Sequence, residues 1–189
     1  MRLACDLCMS ITRTARLALL SLLILFPVSS VMAGGLSAVI NGKSIHVDAS
    51  ENWNDDNTGL GFEYQFPTES RWKKQLMVNG FRDSSEEMSY MAGGGIHRNL
   101  FATERFNGFY VDAGINAFLM TREDVNDNRP FPGALPSLSF GNRYAGFNVT
   151  YLPKKAVEIM TDAQMSDATI SGIVFVQFKI GINQLLPAD

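Results

Sequence analysis

Three residues of this 189-residue chain could together do acyl chemistry: His46, Asp83 and Ser84. An imidazole can take a proton from a hydroxyl, and a carboxylate can orient or charge that imidazole. A serine can act as nucleophile or steady an oxyanion, and the residue types alone do not separate the two roles. Asp83 and Ser84 are neighbours in Gly80-Phe81-Arg82-Asp83-Ser84-Ser85-Glu86-Glu87. Adjacent residues inside a strand point to opposite faces, so both can serve one site only where a strand has given way to loop. An isolated Asp-Ser pair is usually plain turn chemistry, so the weight of this constellation comes from the elements that carry it.

After residue 33 the apolar residues alternate with period two, in pieces separated by polar turns. Leu60, Phe62, Tyr64 and Phe66 share one face, opposite Gly59, Gly61, Glu63 and Gln65. Val111, Ala113, Ile115, Ala117 and Leu119 lie opposite Tyr110, Asp112, Gly114 and Asn116. Phe147, Val149 and Tyr151 alternate with Asn148 and Thr150, and Val174, Val176, Phe178 and Ile180 with Gln177 and Lys179. This pattern predicts eight strands, near 36–48, 59–66, 73–82, 88–98, 109–120, 135–142, 145–152 and 169–182. Connections after the odd strands are mostly long and polar, and those after the even strands mostly shorter. The expectation is an all-β fold, an eight-stranded antiparallel outer-membrane β-barrel with its apolar face outward. A secreted β-sandwich alternates similarly, but strands near the membrane-crossing length of about 9–11 residues favour the barrel. Asn41-Gly42 is a hairpin signal inside the first strand. One spanning strand, with Gly42 at a bulge or kink, is expected there because closure needs an even count. Such a barrel brings His46, Asp83 and Ser84 to its external rim. His97 falls at the opposite end and should be dispensable.

Residues 1–33 read as a secretory signal peptide, with Arg2, Arg13 and Arg16, the apolar run Leu17–Phe26, and Val31-Met32-Ala33 as a cleavage site. That run is shorter than the roughly 20 apolar residues of a membrane helix. Residues 34–189 are expected to form one barrel domain, exported to the outer membrane after the leader is cleaved. Both cysteines, Cys5 and Cys8, lie in the leader, so the remainder has no disulfide, no thiolate nucleophile and no Cys-ligated zinc. The chain carries 16 Lys/Arg against 19 Asp/Glu, and three of the basic residues are in the leader. An acidic balance does not suit a nucleic-acid partner.

From about residue 43 to 181 the chain resembles the outer-membrane lipid A palmitoyltransferases of Gram-negative bacteria, the PagP family. Phe81-Arg82-Asp83-Ser84 is similar to the family's Phe-Lys-Asp-Ser, and Ala92-Gly93-Gly94-Gly95 to its Ala-Gly-Tyr-Gly. Pro130-Phe131-Pro132, Pro136 and Ser139-Phe140-Gly141 follow its proline-rich loop and strand. Thr150-Tyr151-Leu152-Pro153 resembles its Thr-Tyr-Ile-Pro, and Phe175-Val176-Gln177-Phe178 its closing strand. His46, ahead of Gly59-Leu60-Gly61-Phe62, occupies the place of its catalytic histidine.

The resemblance implies a monomeric barrel whose interior holds one acyl chain, with no metal or cofactor. It implies transfer of palmitate from an outer-leaflet phospholipid to lipid A at the external rim, with His46, Asp83 and Ser84 as the catalytic trio. It also implies sideways entry of the lipid between strands 6 and 7, bordered by Pro136 and Pro153, where proline cannot donate a ladder hydrogen bond. On strand 4, Ser89, Met91, Gly93, Gly95 and His97 share the face expected to point inward. Gly95 matches the family's pocket-floor glycine by position, although the three glycines could instead allow a bulge. Arg82 and Arg122 are the rim residues expected to grip the phosphates of lipid A. The chain departs from the family in lacking the prolines of a second gate near strands 1 and 2. The competing reading is a non-catalytic, lipid-binding or structural barrel of the same shape.

Overall fold

The computed structural model describes residues 35–49, 54–123, 125–156 and 171–182; the leader lies outside them. Eight strands run β1 Gly35–Val47, β2 Asp56–Gln65, β3 Trp72–Arg82, β4 Met88–Thr103, β5 Phe109–Thr121, β6 Phe131–Gly141, β7 Ala145–Pro153 and β8 Gly172–Gly181. Each is antiparallel to its neighbours, and β1 pairs with β8 to close an eight-stranded barrel. The alternation read from sequence is the alternation of the wall. Leu60, Phe62, Leu76, Val78, Tyr90, Ile96, Ile115 and Leu119 are exposed on the outside, while Gln75, Asn79, Asp112 and Asn116 are buried inside. An apolar outer band around a more polar interior is the pattern of outer-membrane barrels. No helix among the described residues is long and apolar enough to cross a membrane.

Asn41-Gly42 does not make a hairpin. β1 is one strand, and its register shifts between Asn41 and Lys43 against both β2 and β8. Two other elements differ from expectation in extent. β4 runs to Thr103, past an irregularity between Asn99 and Phe101, because β5 continues to pair with it as far as Phe109. β6 begins at Phe131 in spite of Pro132 and Pro136, both of which keep their places in the β5 register. A strand with two prolines can do this when the missing donors fall on its other side. On that side the β6–β7 ladder contains only Ser137–Gly141 paired with Gly146–Thr150.

The interior has two layers. Toward the end that carries the connections after odd strands, Met77, Phe81, Phe118 and Met120 form an apolar cluster, joined by Met91, Phe131 and Leu135. Toward the other end the interior is polar and cross-linked. Gln177 donates to Asn41 at 2.5 Å, and Asn41 to Asn79 at 3.3 Å. Lys179 pairs with Glu63 at 2.8 Å, and Asn148 donates to the other Glu63 oxygen at 2.9 Å. Lys73 pairs with Asp112 at 2.7 Å, where Asn99 also donates at 2.6 Å.

Removing one partner of a buried pair leaves an uncompensated charge, whereas replacing both with apolar residues can be nearly neutral. Glu63→Ala is therefore expected to lower stability by about 3–5 kcal/mol, and Glu63→Leu with Lys179→Met by much less. Urea unfolding of the detergent-folded barrel measures both. Equal losses from the two variants would show that the pair itself is not what matters.

Candidate active site

His46 reaches the interior because of the irregularity in β1. Before it, Val39 and Asn41 are buried and Ile40 is exposed; after it, Ser44 is buried and Ile45 is exposed. A strictly alternating strand with Asn41 inside would turn Ser44 and His46 outward. Gly42 supplies the extra residue that changes parity, which is how a bulge re-aims a side chain. A Cβ at Gly42 would stand 3.0 Å from the Val176 carbonyl oxygen of β8, so the close approach suits glycine.

The His46 side chain is 4% exposed. Its Nε2 lies 3.2 Å from Ser84 Oγ, and its Nδ1 lies 2.8 Å from Asp55 Oδ1. Asp55 stands at the entrance to β2, where its carbonyl accepts the Ser44 N–H at 2.9 Å.

Ser84 leads a tight turn built on Asp83. The Asp83 carboxylate accepts the N–H groups of Ser85 at 2.9 Å and Glu87 at 3.3 Å on Oδ1. On Oδ2 it accepts the Ser89 hydroxyl at 2.7 Å, with Arg122 Nε 3.4 Å away. Glu86 N–H donates to the Asp83 carbonyl at 3.0 Å, and Glu86 takes the positive φ the turn needs. Asn54 also ties this turn to the start of β2, its amide donating to the Asp83 carbonyl at 3.3 Å and its N–H to the Ser84 carbonyl at 3.4 Å.

Below this group the apolar cluster lines a cavity that opens beside His46 and Ser84. Phe81, Met91, Phe118, Met120, Leu135 and Phe175 form much of its wall, and Arg122 and Val125 stand with the mouth residues. The apolar lining gives way to Asn116, Thr150 and Gln177. Asn116 belongs to a polar layer. Its carboxamide oxygen lies 3.0 Å from His97 Nε2 and accepts from Gln75 at 3.3 Å, and its amide donates to Ser137 at 3.2 Å.

A base in contact with a hydroxyl, at the mouth of an apolar cavity inside a membrane-type barrel, can be compared with known proteins. The family model described as "Antimicrobial peptide resistance and lipid A acylation protein PagP" matches residues 40–160. The chain belongs to the PagP family. A protein of Methylobacillus flagellatus named "Lipid A acyltransferase PagP" is 28% identical over 107 residues, 56% of each chain. Proteins of the same name from Bordetella pertussis and Bordetella bronchiseptica are each 29% identical over 128 residues, 64% of this chain and 68% of theirs. The match to the Methylobacillus relative thus spans little more than half of that protein's length.

Against this family background, the structure places the expected residues as follows. His46 and Ser84 come together. The carboxylate hydrogen-bonded to the imidazole is Asp55, and the four contacts of the Asp83 carboxylate commit it to the Ser84 turn and Arg122, which differs from the expectation that Asp83 orients His46. Arg82 is exposed and bonded to Glu86, through Nε to its carbonyl at 2.8 Å and through Nη2 to its carboxylate at 3.2 Å. Met91 lines the cavity. Gly93 lies against Phe118 and Gly95 beneath the Asn116 carboxamide, each too close for a Cβ without a shift. Pro136 and Pro153 are exposed, one on each side of the stretch where β6 and β7 no longer pair. His97 is buried in the polar layer.

Two site residues escape a reading of the sequence. Asp55 stands in Asn54-Asp55-Asp56, just ahead of β2, with no periodicity to mark it. Asn116 falls on the face expected inward, but only the register shows that it stands opposite Gly95 across β4 and β5.

Deleting Gly42 should restore strict alternation and turn residue 46 outward. In the chain from residue 34 on, which has no native cysteine, a cysteine at 45 should react faster with a water-soluble thiol reagent than one at 46, because Ile45 is exposed and His46 is buried. The deletion should reverse that order, and an unchanged order would show that the bulge does not set the aim of His46.

Proposed function

We propose that the protein is a lipid A acyltransferase of the outer membrane, taking an acyl chain, palmitoyl or similar, from a phospholipid and passing it to a lipid A hydroxyl. The observation that carries this reading is the contact of Ser84 Oγ with His46 Nε2, 3.2 Å apart, at the mouth of an apolar cavity. The family match and the names of the relatives support it. A nucleophile within reach of a base, itself oriented by a third group, is the arrangement for covalent acyl transfer.

The acyl tail occupies the cavity, which leaves the ester at the mouth. Ser84 Oγ attacks the ester carbonyl as His46 Nε2 takes the hydroxyl proton. The bond to the glycerol oxygen breaks, and that oxygen leaves with the proton from His46. A lipid A hydroxyl then attacks the acyl-serine, its proton passing to Nε2 and on to the departing serine oxygen. Arg122, 3.4 Å from both Asp83 and Ser85 Oγ, is the cation beside the turn that carries Ser84 and is assigned here to steadying the oxyanion. Asp83 holds the turn that presents Ser84. The two-step route favours nucleophile over oxyanion donor for Ser84, because the serine already addresses the base.

The tail enters sideways between β6 and β7 beyond Ser137 and Thr150, where the ladder ends and Pro136 and Pro153 border the gap. Irregular backbone at membrane depth is tolerated where it lines a cavity. Arg82, at the exposed edge of the same rim, is a phosphate contact for the acceptor.

Mass spectrometry of lipid A from cells with and without the protein tests the reading, and one added acyl chain is expected with it. Ser84→Ala and His46→Ala should each reduce transfer by at least about 10²-fold while the barrel still folds and shifts on heating. A protein incubated with phospholipid alone should carry one acyl group on Ser84. Lipid A that is the same in both strains would overturn the assignment.

The cavity floor sets which chain is taken. Ser89 and Gly95 are six residues apart on β4, about 20 Å along a strand, or about 14 Å of depth at a tilt of about 45°. A Cβ at Gly95 would strike the Asn116 carboxamide and so displace a group that lines the cavity. Gly95→Ala is therefore expected to move selection toward shorter chains in protein that folds. An unaltered acyl length on lipid A would place the floor elsewhere.

A further inference from the structure

Two carboxylates stand near the His46–Ser84 contact, and they are used differently. Asp83 is 2% exposed and accepts two backbone N–H groups and the Ser89 hydroxyl, with Arg122 beside it. Its oxygens are occupied by the turn that carries Ser84. The Asp55 side chain is half exposed, yet its Oδ1 lies 2.8 Å from His46 Nδ1. Its backbone is fixed from two directions. The Asp55 carbonyl accepts the Ser44 N–H of β1, and the preceding Asn54 bonds to the carbonyls of Asp83 and Ser84. The segment therefore bridges the strand that bears the imidazole and the turn that bears the hydroxyl.

We infer that Asp55 is a positioning residue for His46, holding the neutral ring as its Nδ1–H tautomer with the Nε2 lone pair turned to the Ser84 hydroxyl. An ionised carboxylate can only accept hydrogen bonds, so a neutral imidazole bonded to it carries its proton on Nδ1. Nε2 is then an acceptor, and the only hydrogen Ser84 Oγ can offer it is its own. The same bond limits ring rotation and supports the imidazolium that forms when the serine proton moves. Asp83 serves the other half of the contact by fixing Ser84. Asn54 and Asp55 thus act on the pair from one short stretch ahead of β2.

The turnover part of this inference rests on the acyl-transfer reading; the tautomer part does not. An asparagine at 55 can present its amide hydrogen to Nδ1 and so hold the ring with Nε2 protonated, the wrong form for a base. Alanine leaves the tautomer unspecified, and glutamate keeps the acceptor on a longer arm. Turnover should thus fall furthest in Asp55→Asn, less in Asp55→Ala and least in Asp55→Glu. For the first, a loss of about 10- to 100-fold is expected, smaller than for the buried carboxylate of a serine protease because water reaches Asp55.

The deciding measurement is the ¹⁵N spectrum of histidine-labelled protein in detergent above neutral pH. The chain has two histidines, so a His97→Gln variant assigns the His46 ring. The unsubstituted protein should show His46 as Nδ1–H, and Asp55→Asn should shift the ring toward Nε2–H. The inference is overturned if the Asp55→Asn ring keeps its tautomer, or if Asp83→Asn changes it and Asp55→Asn does not. A protein that transfers no acyl chain, but whose His46 tautomer responds to Asp55→Asn, would defeat the transferase reading and support the positioning role.

Discussion

Closure of the hydrogen-bonded ladder is the constraint on which the rest of this structure depends. A backbone amide left unpaired in hydrocarbon costs several kcal/mol, so a sheet that crosses a membrane has to close. Once it closes, alternation fixes which side chains see lipid and which see the interior, and any departure has to be accommodated locally. The described wall departs in three places. The irregularity near Asn99 lies at the end away from the cavity mouth. The other two, the extra residue at Gly42 and the missing β6–β7 pairs above Ser137, lie at the half that holds the cavity. The first turns a histidine inward, and the second leaves an interval in the wall beside the cavity.

The polar layer explains why the apolar cavity ends where it does. An apolar chain can advance only until the next group it would displace is a satisfied hydrogen bond. Asn116 binds Gln75, Ser137 and the His97 ring region together, and Gln177 continues into Asn41 and Asn79. Breaking such a layer strands buried polar atoms, each at about 1–3 kcal/mol. A hydrophobic tail offers no replacement bonds. Stiffness at the floor is thus a consequence of hydrogen-bond satisfaction rather than of bulk.

Strand number, order and facing were legible because period-two alternation survives in a wall that is lipid on one side and protein on the other. The family motifs led to His46 and Ser84 as partners, and the geometry brings those two together. What was not legible has a common cause. Register is set by how hairpins close, and the sequence of a strand does not state its neighbour's offset. For this reason β4 is expected to end at 98 where its partner carries it to Thr103, and the closeness of Asn116 to Gly95 across β4 and β5 is not visible in the sequence. The role of Asp55 was hidden for a related reason. Its contact with His46 spans the β1–β2 connection, and proximity across a loop leaves no periodic trace.

The two carboxylates illustrate how burial divides labour at one site. Asp83 is removed from water, and a carboxylate can remain there because three hydrogen bonds and the Arg122 guanidinium replace its hydration. Those same bonds make it a rigid part of the 83–87 turn, since moving it would break several at once. A group held in this way is suited to fixing geometry and poorly suited to following a proton. Asp55 has the opposite balance. Water reaches it, so a change of charge on the neighbouring imidazole can be met by solvent reorganisation as well as by the carboxylate itself. If the site cycles between neutral imidazole and imidazolium, the carboxylate at the solvent edge can follow that cycle while the buried one keeps the serine in place.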